Sequence, residues 1–290
     1  MARHALAICA VFKNEAPYLA EWIAFHTQAG VERFFLYDND STDAWRPAIA
    51  ASGQGARVTV LTCPGPEGQV RAYRDCLRRF RDAADWIAFT DLDEFLFAPD
   101  GRRLPDVLEE FGRHPGIGVN WMVFGTGGHQ DRPDGLVTRN YIRRGATGVV
   151  VPYKAYLRSP GLDPLRADSY RPMNSHVKSI VRPTQVLRAI TPHHFAFADG
   201  GTMVTENEEP FAEPWSPSVS LSRLRINHYW SKSSAELAIK TARGPAWIGS
   251  APSLEYNQAV ERRLNAETDT TIFPMARYLP GWQPLFVDPA

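Results

Sequence analysis

Residues 86–97 have the sequence WIAFTDLDEFLF, in which an apolar run ends in two aspartates and a glutamate. The first five residues are typical of a strand buried in a parallel sheet, because both faces of such a strand are apolar. Asp91 and Asp93 follow two positions apart, and on an extended segment side chains at that spacing share a face. Both carboxylates could then reach one hard divalent cation, Mg²⁺ or Mn²⁺. A DxD pair alone is common by chance, but a DxDE at the end of an apolar strand is a stronger signal for a metal site.

The chain around this motif alternates between strand-like and helix-like segments. Four short apolar runs predict strands, and apolar residues at helical spacing predict helices between them. This βαβαβαβ order predicts an α/β fold, with a Rossmann-like, mostly parallel sheet and helices on both faces. The predicted strands cover residues 5–12, 33–37, 57–61 and 86–90, and the predicted helices cover residues 17–30 and 70–80.

The pattern is less regular after residue 100. A short helix is predicted at residues 104–111 and another strand at residues 118–124. Residues 126–220 are rich in Gly, Pro and Arg, which is typical of loops around a binding site. Further on, Ser233-x-x-Glu236 matches a capping box and predicts the start of another helix. These features predict one domain with an irregular C-terminal portion.

Three of the predicted strands end in polar clusters. The clusters are KNE at residues 13–15, DNDS at residues 38–41 and DLDE at residues 91–94. A polar turn after one strand is ordinary, but the carboxyl ends of parallel strands lie along one edge of the sheet, where ligands bind. Three clusters from distant parts of the chain therefore predict a binding site at that edge. A cation held there by carboxylates usually completes its shell with phosphate oxygens, so the predicted ligand is a diphosphate.

Composition and missing motifs narrow the function further. The 290 residues carry 32 basic and 32 acidic side chains, which argues against a general nucleic-acid or anionic-membrane binder. Three widely spaced cysteines favour neither a disulfide scaffold nor a zinc site. No apolar run of about 20 residues and no signal-peptide pattern is present, so a cytoplasmic protein is expected, with peripheral contact at the inner face of the membrane left open. GxGxxG, GxxxxGK[ST], HExxH and GxSxG are all absent.

A series of motifs resembles the GT-A glycosyltransferases, and most of all a bacterial glycosyl transferase family 2-like group related to family 92. The resemblance rests on FKNE at 12–15, EWxxFHxxxGVxxFxLYDNDSTD across 21–43 and the DxDE segment. It continues through HVKSIVRP at 176–183 and INHYWSKS at 226–233 and covers roughly residues 5–245. It implies a GT-A domain over residues 1–245, with a nucleotide-binding half (1–100) and an acceptor-binding half (101–245), followed by a C-terminal extension (246–290).

The resemblance implies sugar transfer from a nucleotide-sugar donor, with UDP favoured, to a glycan or lipid-linked acceptor, as in polysaccharide biosynthesis by a hexosyltransferase. Mn²⁺ or Mg²⁺ would bind the donor diphosphate through Asp91 and Asp93, aided by His194 or His228, of which His194 is preferred. The implied donor-binding residues are Lys13, Asn14, Glu15, Asp38, Asn39, Asp91, Lys178 and Lys232, and the implied acceptor-binding residues are Trp121, Phe124 and Gly125.

The reaction's stereochemistry stays open. An inverting enzyme needs a carboxylate base, for which Glu208 and Asp168 are the candidates. Two alternative functions remain. A phosphatase of the haloacid dehalogenase type also has DxD after an apolar strand, but Phe95 stands where that chemistry uses Thr or Val. A non-catalytic glycan-binding module is the other alternative.

Overall fold

The computed structural model describes residues 3–152, 170–244 and 253–285. The strands are β1 (His4–Phe12), β2 (Arg33–Asp38), β3 (Val58–Thr62), β4 (Ala84–Phe89), β5 (Glu94–Phe97), β6 (Gly116–Val123), β7 (Arg143–Arg144), β8 (Val150–Pro152), β9 (Tyr170–Pro172), β10 (Val177–Val181), β11 (Val186–Thr191), β12 (His194–Phe197), β13 (Met203–Val204), β14 (Pro210–Phe211), β15 (Arg225–His228) and β16 (Glu267–Thr268). The helices are α1 (Ala16–Gln28), α2 (Trp45–Ala51), α3 (Gly68–Arg79), α4 (Leu104–Glu109), α5 (Val137–Asn140), α6 (Ser234–Arg243), α7 (Leu254–Glu261) and α8 (Phe273–Ala276).

The central sheet has the order β14-β13-β6-β10-β4-β1-β2-β3. Strands β3, β2, β1 and β4 are mutually parallel. Strand β10 runs antiparallel to both β4 and β6, so β6 has the same direction as β4. Strand β15 lies parallel to the last residues of β6 and also pairs antiparallel with β5. The predicted α/β fold with a mostly parallel sheet is confirmed, and the carboxyl ends of β1, β2, β4, β6 and β15 face one edge.

Two hydrophobic cores cover the two faces of this sheet. In β1, Leu6 and Ile8 join a core that contains α1 and α4, whereas Ala7 and Cys9 join a core that contains α3, β11 and β12. Alternate residues of a strand point to opposite faces, so β1 contributes to both cores. The predicted helices on both faces are therefore confirmed.

The elements predicted from hydrophobic patterns match the structure to within two residues at either end. Four elements near the site were missed, namely α2, β5, β10 and β15. Strand β10 (VKSIV) has a lysine and a serine among its apolar residues, and β15 (RINH) has a single apolar residue. Both strands are nevertheless buried along their length. Their polar side chains are paired in the interior, which a hydrophobic pattern cannot show.

The C-terminal residues pack against the domain. Leu264, Ile272 and Ala276 lie in the core formed with α1, and β16 pairs with β7. Among the described residues, none of the helices has the length and apolar character needed to cross a membrane.

Candidate functional site

The DxDE segment forms a tight turn between β4 and β5. The Glu94 amide donates to the Asp91 carbonyl at 3.2 Å, and the Glu94 carboxylate accepts from the Asp91 amide at 2.9 Å. The prediction of an extended segment with both aspartates on one face is therefore wrong. The chain reverses direction here because β5 runs antiparallel to β15, which is itself parallel to β6. As a result, Asp91 and Asp93 have different partners.

Asp91 is held by two protein side chains. Its Oδ2 accepts from Lys178 Nζ at 2.8 Å, and its Oδ1 accepts from Gln69 Nε2 at 2.5 Å. Lys178 comes from β10, which lies beside β4, and its side chain is 1% exposed. Burial alone would lower the pKa of Lys178, but Asp91 and Glu94 outweigh it and the pKa is raised. Lys178 is therefore a buried counter-ion of the DxDE turn, which differs from the predicted role of binding donor phosphate.

The carboxylates of Asp93 and Glu94 lie close to His228. His228 Nε2 is 3.6 Å from Asp93 Oδ2, and His228 Nδ1 is 4.0 Å from Glu94 Oε1. The last pair meets because His228 and Glu94 are directly opposed in the β15–β5 ladder. One ligand atom of each of the three residues lies within 4.8 Å of the others. Of the two predicted histidines, the structure brings His228 and not His194 to the DxDE turn.

The three side chains fit a divalent cation. Glu94 Oε1 and His228 Nδ1 are buried and have no hydrogen-bond partner among the described residues, although buried polar atoms normally have one. A cation between these atoms would satisfy both. A mixed set of two carboxylates and an imidazole suits Mn²⁺ better than Mg²⁺, which prefers oxygen ligands alone.

The pKa shifts in this cluster have separate causes. Burial raises the pKa of Glu94 well above its usual range, and Lys178 only partly opposes this. Burial would also raise the pKa of Asp93, but Lys240 and His228 hold it well below its usual range. Burial lowers the pKa of His228, which keeps the imidazole in the neutral form that binds metals. A bound cation would favour the ionised form of Glu94.

Helix α6 brings basic side chains to the same edge. Its start is fixed by the predicted capping box between Ser233 and Glu236, which is confirmed. Lys240 Nζ donates to Asp93 Oδ2 at 2.6 Å and to the Trp230 carbonyl at 3.0 Å. Arg243 Nη1 donates to the Lys13 carbonyl at 2.8 Å. Neither basic residue was among the predicted site residues, although the sequence shows a capped helix that ends in Lys240-x-x-Arg243-Gly244.

The polar clusters after β1 and β2 also meet, as predicted. Asn14 Oδ1 accepts from the Thr42 amide at 2.8 Å, and Asp38 Oδ1 accepts from the Ser41 amide at 2.9 Å. Asn39 Nδ2 donates to two carbonyls of the 63–65 loop, so its amide shapes that loop.

Glu15 joins this loop region to the segment before α6. Its carboxylate lies 3.3 Å from Lys232 Nζ and 3.2 Å from Arg243 Nη1. Lys232 Nζ also lies 3.5 Å from the centre of the Tyr18 ring. The predicted donor residues Glu15 and Lys232 are therefore neighbours, although they are far apart in the chain.

Trp121 is the predicted acceptor residue that lies beside the cation ligands. Its ring centre is 4.5 Å from that of His228, and it stacks on His176 at 5.0 Å. Trp121 Nε1 is buried and has no hydrogen-bond partner among the described residues. Phe124 is instead a core residue that packs on Tyr229.

Gly125 has a structural role. A Cβ at this position would lie 2.5 Å from Asn265 Oδ1 and 2.7 Å from the Leu264 carbonyl oxygen. The Gly125 amide donates to the Arg143 and Leu264 carbonyls, both at 3.0 Å. Only a glycine lets the C-terminal segment approach the chain so closely here.

Two other predicted residues, Glu208 and His194, are not brought to this cluster. Glu208 pairs with Arg113 and His114, which precede β6 and lie at the opposite end of that strand from Val123 and His228. The structure therefore gives Glu208 no place as a base at the DxDE turn. His194 is half-buried on β12, and it is the adjacent His193 whose ring contacts Trp121. Asp168 lies outside the described residues.

The chain belongs to glycosyltransferase family 92, whose sequence model matches residues 4–212. A glycosyltransferase family 92 protein of Oryza sativa subsp. japonica is 29% identical over 229 residues, which are 78% of this chain and 33% of the relative. Galactan beta-1,4-galactosyltransferase GALS1 of Arabidopsis thaliana is 30% identical over 106 residues, covering 33% of this chain and 21% of the relative. The chain spans about a third of the length of the first of these relatives. S. aureus TarS 1-349 has a TM-score of 0.39 at 11% identity, covering 62% of this chain and 48% of that one.

Proposed function

We propose that the protein transfers a sugar, most simply a hexose, from a nucleoside diphosphate sugar to a hydroxyl of a glycan or lipid-linked acceptor. UDP is the favoured nucleotide and Mn²⁺ the favoured cation. The observation that carries the proposal is the cluster of Asp93, Glu94 and His228, in which two buried polar atoms lack partners. Membership of glycosyltransferase family 92 supports transfer over the phosphatase alternative.

The ligand set differs from the DxD pair expected from the motif. Asp91 already accepts hydrogen bonds at both oxygens, so we assign it to positioning the turn through Lys178 and Gln69. Asp93, Glu94 and His228 would hold the cation. A divalent cation bound there would stabilise the negative charge of the leaving diphosphate as a Lewis acid.

Three basic side chains lie beside the acidic residues of the site. Lys240 neutralises Asp93, and Lys232 and Arg243 flank Glu15. A diphosphate would bring several negative charges to this edge, and these three side chains are placed to compensate them. The Trp121 indole, with its unpaired N–H, would contact the sugar or the acceptor. Asp168 remains a predicted base, should the reaction invert the anomeric centre.

The test is a thermal-shift screen of UDP, GDP, CMP and dTDP, each with and without Mn²⁺. A ligand at about 100 times its Kd stabilises the folded state by about 2.7 kcal/mol. For a chain of this size that corresponds to a rise in Tm of roughly 4 °C. We expect one nucleotide to give this shift only with Mn²⁺.

The variants Asp93→Asn and Glu94→Gln separate the site from non-specific effects. Both should lose the Mn²⁺-dependent shift, whereas Asp100→Asn, an exposed carboxylate on another loop, should keep it. Hydrolysis of the corresponding nucleotide sugar would then be measured with the same set. If no nucleotide gives a shift in a protein that melts cooperatively, or if both site variants keep it, the proposal fails and the binding-module alternative is favoured.

A further inference from the structure

One surface away from the candidate site concentrates positive charge. It is the outward side of α3, where most side chains are exposed arginines. Asp75 is the acid within the helix, and its carboxylate accepts from Tyr37 and is bridged by Arg78 and Arg79. Two further exposed acids flank the helix, Glu67 before it and Asp82 after it. Because the whole chain has a formal net charge of +0, this is a local separation of charge. The exposed arginines are Arg71, Arg74, Arg78, Arg79 and, just after the helix, Arg81.

Strand β11 extends this surface. Arg74 Nε donates to the Ala189 carbonyl at 3.1 Å, and Arg81 Nη1 donates to the Val186 carbonyl at 3.3 Å, so helix and strand form one continuous face. The register of β11 against β12 shifts between Val186 and Arg188. Such a bulge disturbs the alternation of side chains, and Leu187 and Arg188 are both exposed here. Leu187 is 69% exposed, which leaves an apolar side chain beside the arginines.

A cavity of about 400 Å³ opens on the same surface. Four arginines of α3 line it with Tyr37, Cys63 and Asp75. One carboxylate cannot neutralise four guanidinium groups, so the cavity carries excess positive charge. One guanidinium group can donate two parallel hydrogen bonds to two oxygens of the same phosphate. The volume of the cavity is sufficient for the phosphate of a lipid head group.

We infer that this surface binds an anionic lipid bilayer, with the arginines on lipid phosphates and Leu187 in the interfacial layer. Basic side chains around an exposed apolar residue are the combination that interfacial binding uses. Single-stranded nucleic acid sites add aromatic side chains on which bases stack. Among the described residues that line the cavity, Tyr37 is the aromatic one, and its side chain is buried. Phe80, beside Arg79 and Arg81, has its ring stacked on Phe35 at 3.8 Å. A bilayer therefore fits the surface better than a nucleic acid.

The inference goes beyond sugar transfer, because it concerns where the protein acts. Gln69, in the first turn of α3, donates to Asp91 in the DxDE turn. The helix is 12 residues long, which corresponds to about 18 Å. Binding along α3 would hold the candidate site within about one helix length of the lipid head groups.

Co-sedimentation with vesicles tests the inference in the full chain. The vesicles contain phosphatidylcholine alone or with about 30% phosphatidylglycerol, at about 50 mM and about 500 mM NaCl, since salt screens such contacts. We expect binding to the anionic vesicles at low salt only. Each arginine near an anionic surface contributes about fivefold in affinity, so Arg78→Gln/Arg188→Gln should weaken binding about 25-fold. Leu187→Ser should weaken it about tenfold.

Matched controls replace exposed residues elsewhere. Arg262→Gln/Arg277→Gln and Ile239→Ser, the last at a residue 68% exposed on α6, should bind as the wild type does. Equal binding to neutral vesicles, no binding to either kind, or unchanged binding by the patch variants would overturn the inference. Binding of single-stranded RNA without binding of vesicles would overturn it in favour of a polyanion site.

A label at position 187 gives a second readout that does not depend on affinity. The three native cysteines are buried, so Leu187→Cys can be labelled selectively with an environment-sensitive fluorophore. Its emission should shift to the blue with anionic vesicles and stay unchanged with neutral ones. The same label at Ile239→Cys should not respond. A label at 187 that stays in water while the protein sediments would contradict insertion of this surface.

Discussion

Protonation of His26 should destabilise the protein in mild acid. The His26 ring is fully buried, with Nδ1 2.8 Å from the Trp22 carbonyl and Nε2 accepting from the Leu96 amide at 3.0 Å. Nε2 is an acceptor, so the proton is on Nδ1 and the ring is neutral. Burial lowers the pKa of His26 to about 3, and the bond to Trp22 opposes this only in part. The ring joins α1 to β5, the strand that begins with Glu94.

The size of the effect follows from the two protonation equilibria. An unfolded chain has a histidine pKa of about 6.5, so between that value and the folded pKa of about 3 the unfolded state binds more protons. The free energy of unfolding therefore falls as the pH falls through this window. From pH 7.5 to pH 5 the contribution of His26 is a loss of about 2 kcal/mol.

Urea unfolding at the two pH values measures this contribution. His26→Gln and His26→Leu should both be less stable than the wild type at pH 7.5, because they disturb the two hydrogen bonds. Both should also lose about 2 kcal/mol less than the wild type on going to pH 5. Phe95→Leu, which changes the ring stacked on His26 but keeps the histidine, should retain the wild-type pH dependence. If the two His26 variants keep that dependence as well, the buried neutral ring is not the cause.

Three further predictions concern the site and its supports. Lys178→Met should lower the free energy of unfolding by about 2 kcal/mol, because it removes the buried ammonium that lies 2.8 Å from the Asp91 carboxylate. Adding Asp91→Asn should recover part of this loss in urea unfolding; a double variant no better than the single one would contradict the pairing. Gly125→Ala should lower the free energy of unfolding by about 1–3 kcal/mol, because the added Cβ would clash with the Leu264 carbonyl. Gly55→Ala should have no such effect, because a Cβ there meets nothing within 4 Å. Equal melting temperatures for the two variants would refute the steric argument. Glu208→Gln should leave the turnover rate within about twofold of wild type. Its ion pair with Arg113 is exposed, contributes little to stability and lies at the other end of β6 from the site. A loss of turnover of about 100-fold would restore Glu208 as a candidate base.

Much of the structure of residues 1–100 is encoded locally. The apolar runs of β1, β2, β3 and β4 and the helical spacing in α1 and α3 specify these elements, because buried parallel strands and amphipathic helices each have a distinct pattern. The polar residues that follow β1, β2 and β4 share one edge because parallel strands end at the same side. The capping box of α6 is similarly local, since it involves residues three positions apart.

The ligand set depends on the tertiary structure. His228 and Lys240 reach Asp93 only because β15 pairs with β5 and α6 follows β15, and no pattern near residue 93 specifies that pairing. Lys178 binds Asp91 because β10 inserts antiparallel beside β4.

From the DxD motif alone, the two aspartates are expected to have the same role as cation ligands. In the folded chain Asp91 is neutralised by a lysine from a distant strand, and Glu94 stands opposite a histidine. The amino-acid sequence by itself determined the parallel strands β1 to β4 and the acidity of the segment that follows β4. Which of the acids remain available to a cation was decided by the tertiary structure, because a carboxylate's charge and hydrogen-bond partners come from residues that only folding brings within reach.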